Sequence, residues 1–192
     1  MLQLISAAED IFLQKGYHTA TMSDVAKAAG MSKKTVYQLI ESKAELFALL
    51  LTHYQSLLNF PETKQGWTVR DILAENVLCL ARFLLSPDQI AIIRLIMAEY
   101  THSPNLGRLF HRRQVSKAKL RLETCLFEIG AGRGLSLKDA REMAAMLFGM
   151  AIGEFHISAL IGYSSAPSKA VLEARVRRAV DIFLAGCGCG IA

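Results

Sequence analysis

The sequence predicts an all-α chain, and three observations carry that expectation. Apolar residues make up 52% of the 192, yet aromatics are only 8%, so Ala, Leu, Ile and Met supply the hydrophobic bulk. Ala, Leu and Met are strong helix formers. Apolar positions recur at helical spacing along the chain, and no alternating run of strand length stands free of that pattern. Ser, Thr and Asp stand before the periodic segments and Gly or Pro between them, as helix starts and stops require. With 13 Gly and 4 Pro, the chain is too poor in breakers to be loop-rich.

In chain order, Leu4, Ala8, Ile11 and Phe12 form one apolar stripe, so a first helix runs to about Lys15 and Gly16 closes it in a left-handed conformation. Ser23 caps a short helix over 24–29, with Asp24 in its first turn. Gly30 makes a tight turn, and Ser32 caps a third helix over 33–40. Ser42, with Glu45 three residues on, opens a fourth that runs to about 58. Residues 59–67, with Pro61 and Gly66, read as a linker. Beyond it, Thr68 with Asp71 opens a helix to about 85, and Ser86-Pro87 opens one to about 102. Ser103-Pro104 opens another, which ends in the Gly-rich stretch 130–134. Ser136 with Asp139 opens a long helix to about 162, and Ser165 or Ala166 before Pro167 opens the last, which fades at Gly186. The division predicted is therefore 1–58, a linker 59–67, and a helical domain 68–192. No internal repeat is present.

Three short helices with a glycine turn between the second and third have the layout of a helix-turn-helix. Ala26 is small where two helices must approach, Gly30 permits the turn, and Val36 returns an apolar residue to the same core. On a helical wheel Val36, Leu39 and Ile40 point inward. Lys34 and Gln38 fall opposite, flanked by Thr35 and Tyr37. This outer face offers a cation, an amide, a hydroxyl and a phenol, groups suited to base edges and phosphates in a major groove. Ser32 and Lys33 stand at the helix start, where the macrodipole favours a phosphate, and Lys43 opens the next helix in the same way. The competing reading is a small bundle with an ordinary solvated face. Net charge is +5, but residues 1–58 carry five Lys against five acidic residues, so lysine placement, not lysine number, supports DNA binding.

The stretch 7–47, AAEDIFLQKGYHTATMSDVAKAAGMSKKTVYQLIESKAELF, resembles the N-terminal domain of TetR-family transcriptional regulators. Gly16-Tyr17, Thr21-Met22, Val25-Ala26, Ala29-Gly30, Ser32-Lys33, Val36-Tyr37 and Ser42-Lys43 carry the likeness without a gap. The resemblance implies DNA contacts at Thr21, Ser32, Lys33, Thr35, Tyr37, Gln38 and Lys43. Lys34 stands where the family usually has a small residue and adds a cation to that set. Leu39-Ile40 replaces a common His-Phe pair, and no basic arm is seen ahead of the first helix. Residues 93–113 resemble the AefR-like subgroup of the family's C-terminal domains.

The resemblance implies that 68–192 senses a ligand and dimerises. The helices over 137–162 and 167–185 are the candidates for a four-helix dimer bundle, with Ala145, Gly149 and Gly153 as a smooth strip; packing within one subunit is the alternative. Phe83, Met97, Tyr100, Met150 and Glu154 are the expected pocket residues for a largely apolar small-molecule effector. Plain core is the competing reading for the apolar ones. A buried Glu154 needs a partner, and a structural pairing is preferred over a ligand cation.

No cofactor and no metal are expected. Cys79, Cys125, Cys187 and Cys189 are dispersed, and Cys187-Gly-Cys189 reads as a reduced tail. Glu9 and Asp10 interrupt any signal-peptide pattern, and residues 143–163, which hold Glu154 and His156, read as a buried helix, not a membrane span. The chain is therefore expected in the cytoplasm. The function predicted is a DNA-binding, effector-released regulator, taken as a repressor, that binds a pseudo-palindromic operator as a homodimer. The alternative is a helical scaffold of the same fold that acts through protein contacts. No nucleophile–base pair, phosphate loop or paired metal-ligand motif supports an enzyme.

Overall fold

The computed structural model describes residues 1–130 and 136–187, without the side chains of 114–119 and 137. Every regular element among them is helical, as expected. The chain divides into two compact units, Met1–Leu57 with Ala91–Ser116, and Leu58–Ile90 with Lys117–Ala192. Residues 91–116 thus pack with the N-terminal helices, although the sequence reading grouped them with the C-terminal domain.

In the first unit, α1 (Leu2–Lys15), α2 (Met22–Ala28), α3 (Lys33–Leu39) and α4 (Lys43–Ser56) enclose a core in which Leu4, Ala8, Phe12, Val25, Val36, Phe47, Leu50 and Leu51 are fully buried. Phe12, Tyr17 and Phe47 stack at centroid distances of 5.3, 5.9 and 5.3 Å, joining α1, α4 and the α1–α2 turn. Aromatic pairs at this range add about 0.5–1.5 kcal/mol beyond the area they bury. Gly16 and Gly30 have φ of 80° and 64°, so the two turns need the freedom that only glycine has there.

The cap of α2 differs from expectation. Thr21, not Ser23, is its N-cap: the Thr21 hydroxyl accepts the Asp24 N–H (3.1 Å) and Asp24 accepts the Thr21 N–H (3.0 Å). This reciprocal box satisfies two otherwise unpaired donors, where Ser23 could satisfy one. Ser32 and Ser42 cap α3 and α4 as read, although Glu45 reaches back to the Glu41 N–H instead of that of Ser42.

The C-terminal part of α6 (Pro87–Ala98), α7 (Asn105–Phe110) and a π-helical turn (His111–Val115) complete this unit. The sequence suggested one continuous helix from 103 to 130. From Asn105 the chain is helical without interruption to Gly130, as α7, the π turn and α8 (Ser116–Gly130); the π turn keeps near-helical spacing, so the apolar pattern does not betray it.

In the second unit, α5 (Val69–Leu84), α8, α9 (Leu137–Leu160) and α10 (Lys169–Gly186) share a core that includes Leu73, Val77, Leu126, Leu147, Ile152, Val176 and Val180. Ser168 caps α10, two or three residues later than expected. Arg70 grips Asp181 with two hydrogen bonds of 2.5 and 2.8 Å, and Arg82 meets Glu173 at 2.7 Å. Exposed pairs of this kind contribute only about 0–1 kcal/mol each, so packing of α5 on α10 dominates.

Within Lys138–Leu160 of α9 an 18-residue stretch has a mean hydropathy of 1.5, yet only 28% of that stretch is buried. The expectation of a buried helix is not met within the single chain. Met146, Met150 and Ile157 on α9, Ile161 just after it and Ile182 on α10 face outward, and a Cβ built at Gly149 or Gly153 meets nothing within 4 Å. Cys79, Cys125 and Cys187 are free thiols; Cys189, and with it the Cys187-Gly-Cys189 tail, lies outside the described residues.

Candidate nucleic-acid interface

Seven-residue α3 is too short to be stable alone, so its cap and its inward apolar residues hold it. The Ser32 hydroxyl accepts the Thr35 N–H at 3.0 Å and shares a second hydrogen bond of 2.8 Å with the Thr35 hydroxyl. Val36 and Ile40 are buried in the core, and with them inside, Lys33, Lys34, Thr35, Tyr37 and Gln38 lie in solvent. The Lys33 ammonium sits 5.8 Å from the Tyr37 ring centroid. Among the described residues, Lys34 and Gln38 have no hydrogen-bond or ion-pair partner.

Leu39 departs from the wheel reading: it is 45% exposed. The helix ends at Leu39, and Ile40 turns to an extended conformation (φ −143°, ψ 122°). Ile40 therefore reaches the core without being on the wheel, and the inward arc centres on Val36 without Leu39.

Thr21 and Lys43 are brought to the same end of the unit but are engaged within the chain. The Thr21 hydroxyl donates to Asp24 at 2.7 Å while accepting its N–H. Lys15 meets the same carboxylate at 2.6 Å, and these contacts, Lys15 foremost, hold Asp24 down at a pKa of about 2. Lys43 Nζ donates to three backbone carbonyls, Tyr17 (2.7 Å), His18 (2.9 Å) and Ala20 (2.9 Å), and lies 4.7 Å from the Tyr17 ring centroid. Burial pulls Lys43 below the ordinary lysine value, and the Glu99 charge opposes that. The sequence reading aimed Lys43 at phosphate; an ammonium has three N–H groups, and here all three are used.

The expected pocket residues are dispersed. Met97 and Tyr100 belong to the first unit, where they are 57% and 71% exposed. Phe83, Met150 and Glu154 belong to the second. Glu154 is exposed and paired with Arg175 at 2.5 Å, so the local arginine satisfies it. Helical periodicity marks an apolar face but not whether a neighbour covers it, which is why Met97, Tyr100 and Met150 read as lining.

The second unit holds buried polar groups of which sequence reading singled out only His156. Among the described residues, Gln89 is fully buried with both side-chain amide atoms unpartnered, and the buried Asn76 leaves its amide oxygen unpartnered while its nitrogen donates to Ile72 O at 2.8 Å. His156 Nε2 and Arg121 Nε are likewise without a partner, and burial pulls the His156 pKa down. Leaving such groups unpaired costs about 1–3 kcal/mol each. The available signal was a polar residue at an inward position of an apolar helix, as Asn76 stands between Leu73 and Leu80.

Residues 4–50 match the family model of bacterial regulatory proteins of the tetR family, and residues 71–188 match that of the AefR-like transcriptional repressor C-terminal domain. Among characterised relatives, the chain is 43% identical over 58 residues to the transcriptional activator FasR of Mycolicibacterium smegmatis, covering 30% of this chain and 26% of that one. It is 26% identical over 116 residues to the transcriptional regulator UidR of Escherichia coli, covering 59% of this chain and 58% of that one. The chain therefore spans about a quarter of the first relative's length and under two thirds of the second's. Among solved structures, the flavonoid-responsive regulator FrrA superposes with a TM-score of 0.78 at 28% identity, covering 96% of this chain and 94% of that one. A TetR-family regulator from Mesorhizobium loti gives a TM-score of 0.74 at 27% identity, covering 96% and 95%.

Proposed function

The chain belongs to the TetR family of DNA-binding transcriptional regulators, and on that premise we propose that it is a homodimeric repressor released from a pseudo-palindromic operator by a small-molecule effector. The observation that carries the reading is the α3 face. Lys33, Lys34, Thr35, Tyr37 and Gln38 are exposed, and Lys34 and Gln38 are unspent on the chain itself. Gln38 is suited to a bidentate contact with adenine, and Lys34 to guanine or phosphate. Residues 1–58 are the DNA-reading head, 59–67 the linker and 68–192 the regulatory part, with 91–116 packed on the head. The site of action is the bacterial cytoplasm, where the DNA is.

The outward apolar face of α9 and α10 supports the dimer. Met146, Met150, Ile157 and Ile182 are exposed around the open glycines, and a second copy would cover them. Repression is supported by the match to a repressor C-terminal domain over 71–188. For the effector, the buried, unpartnered polar atoms of Gln89, Asn76 and His156 are the candidate hydrogen-bonding groups. The likeness to a flavonoid-responsive regulator makes flavonoids the class to test first.

Selection of bound sequences from a random duplex pool, with the full-length protein, tests the central claim. A pseudo-palindrome with half-sites roughly 34–36 Å apart is expected. Gln38→Ala should relax preference at one position by about 1–3 kcal/mol. A uniform loss across sequences would put Gln38 on phosphate. Enrichment of no sequence would favour the scaffold reading, for which the equal numbers of Lys and acidic residues in 1–58 are the supporting observation.

A further inference from the structure

The α1–α2 turn is gripped from two sides by residues outside it. From α4, the Lys43 ammonium donates to the carbonyls of Tyr17, His18 and Ala20 at 2.7, 2.9 and 2.9 Å. From the corner after α6, the Glu99 carboxylate accepts the His18 N–H at 3.1 Å. Glu99 is only 8% exposed, and its other oxygen lies so close that a Cβ on Gly16 would approach it to 2.6 Å. The His18 and His102 rings stack beside this contact at 5.0 Å. The corner itself is fixed, since the Ser103 N–H donates to the Glu99 carbonyl at 2.7 Å.

These contacts reach the reading face through a short chain of backbone. Ala20 precedes Thr21, the cap that starts α2. The Met31 N–H donates to Ala26 O at 2.9 Å, which ties the end of α2 to the start of α3. A shift in the turn therefore moves α2, and α3 with it. Base contacts tolerate displacement of only about 0.5 Å.

We propose that Lys43 and Glu99 are positioning residues for DNA binding, which clamp the α1–α2 turn from opposite sides and so set α3 on the operator, and that neither touches a phosphate. The inference rests on the DNA-binding reading of the head. It departs from the phosphate contact that the sequence pattern assigned to Lys43, because that ammonium has no N–H left to give. It also assigns to Glu99, far along the chain, a part in DNA recognition.

The two roles of Lys43 separate by chemistry. A guanidinium makes an excellent phosphate contact, but its planar fork cannot direct three N–H groups to three converging carbonyls. On an operator taken from the selection above, full-length wild type, Lys43→Arg, Lys43→Gln, Glu99→Gln and Lys34→Gln are titrated across a range of salt concentrations. Both Lys43 variants should lose about tenfold in affinity with an unchanged log–log salt slope, whereas Lys34→Gln, the control that removes a cation not engaged within the chain, should flatten the slope by about 0.9. Glu99→Gln should lose about fivefold, although removing a negative charge would by general electrostatics tighten DNA binding. Wild-type affinity for Lys43→Arg, or a flattened slope for Lys43→Gln, would overturn the Lys43 half. Equal or tighter binding by Glu99→Gln would overturn the other.

Hydrogen exchange of the DNA-free protein reads the clamp directly. In Glu99→Ala, protection of the His18 amide should fall about tenfold while that of the α5 and α10 amides is retained. Unchanged His18 protection refutes the clamp even if wild type enriches no sequence, in which case the DNA-binding reading fails separately. If a Lys43 variant does not fold, Glu99→Gln and the exchange of Glu99→Ala still decide.

Discussion

Replacing Gly16 by alanine tests how tightly the α1–α2 turn is built. Gly16 lies at φ 80°, ψ 153°, a region that side chains essentially never occupy. That backbone cost is about 1–3 kcal/mol. A Cβ would also stand 2.6 Å from the Glu99 oxygen, so the carboxylate must withdraw and the His18 N–H loses its acceptor. A hydrogen bond to a charged group contributes about 1.5–3 kcal/mol. Together the expected loss is about 3–5 kcal/mol, or roughly 10 °C in Tm for a chain of this size. Gly30→Ala is the internal reference, because its φ is 64° but a Cβ there meets nothing within 4 Å. It should cost only about 1 kcal/mol, since the left-handed penalty is partly offset by a stiffer unfolded chain. Thermal melts followed by circular dichroism compare the two. If Gly16→Ala melts within a degree or two of Gly30→Ala, the Glu99 contact contributes nothing and the reasoning fails.

The Asp24 carboxyl has its pKa lowered from 3.8 to about 2 by Lys15 and Thr21, so it binds its proton later in the folded than in the unfolded chain. Its contribution is complete above pH 4 and disappears as pH falls towards 2, so the Tm difference between wild type and Asp24→Asn should shrink over that interval; a difference constant from pH 5 to 2 would contradict this. Gly149→Leu places a side chain where the single chain leaves open space, so the fold should survive. If that face is the dimer contact, overpacking costs about 1–3 kcal/mol at each of two symmetric copies, and sedimentation should show dissociation at concentrations that keep wild type dimeric. A wild-type dimer would place Gly149 outside the interface. Gln89→Met removes a buried, unpartnered amide, so the ligand-free protein should melt at the same temperature or higher. Any Tm increase that a flavonoid panel produces in wild type should be reduced in this variant; an undiminished increase would remove Gln89 from the effector site.

Much of the helical layout was legible because its signals are local. A cap joins a side chain to a backbone N–H three residues on, and Ser32, Ser42, Thr68 and Ser136 make those bonds where the pattern predicted them. Where local signals competed, as Thr21 and Ser23 did for α2, the residue able to form a reciprocal pair with Asp24 took the cap. The π turn was not legible, because a helix that widens for five residues keeps nearly the same apolar spacing.

By itself the sequence determined the helical class, the order of the helices, the turn at Gly30 and the polar face of α3, since each follows from contacts between residues at most a few positions apart. Tertiary structure alone decided the rest. Lys43 and Tyr17 are 26 residues apart, and Glu99 is 81 from His18, so no periodicity could announce their meeting. A lysine at a helix start reads as a free cation until the fold brings three carbonyls to it. An apolar stripe such as that of α9 records that water is unfavourable there, but only packing determines whether the cover comes from the same chain.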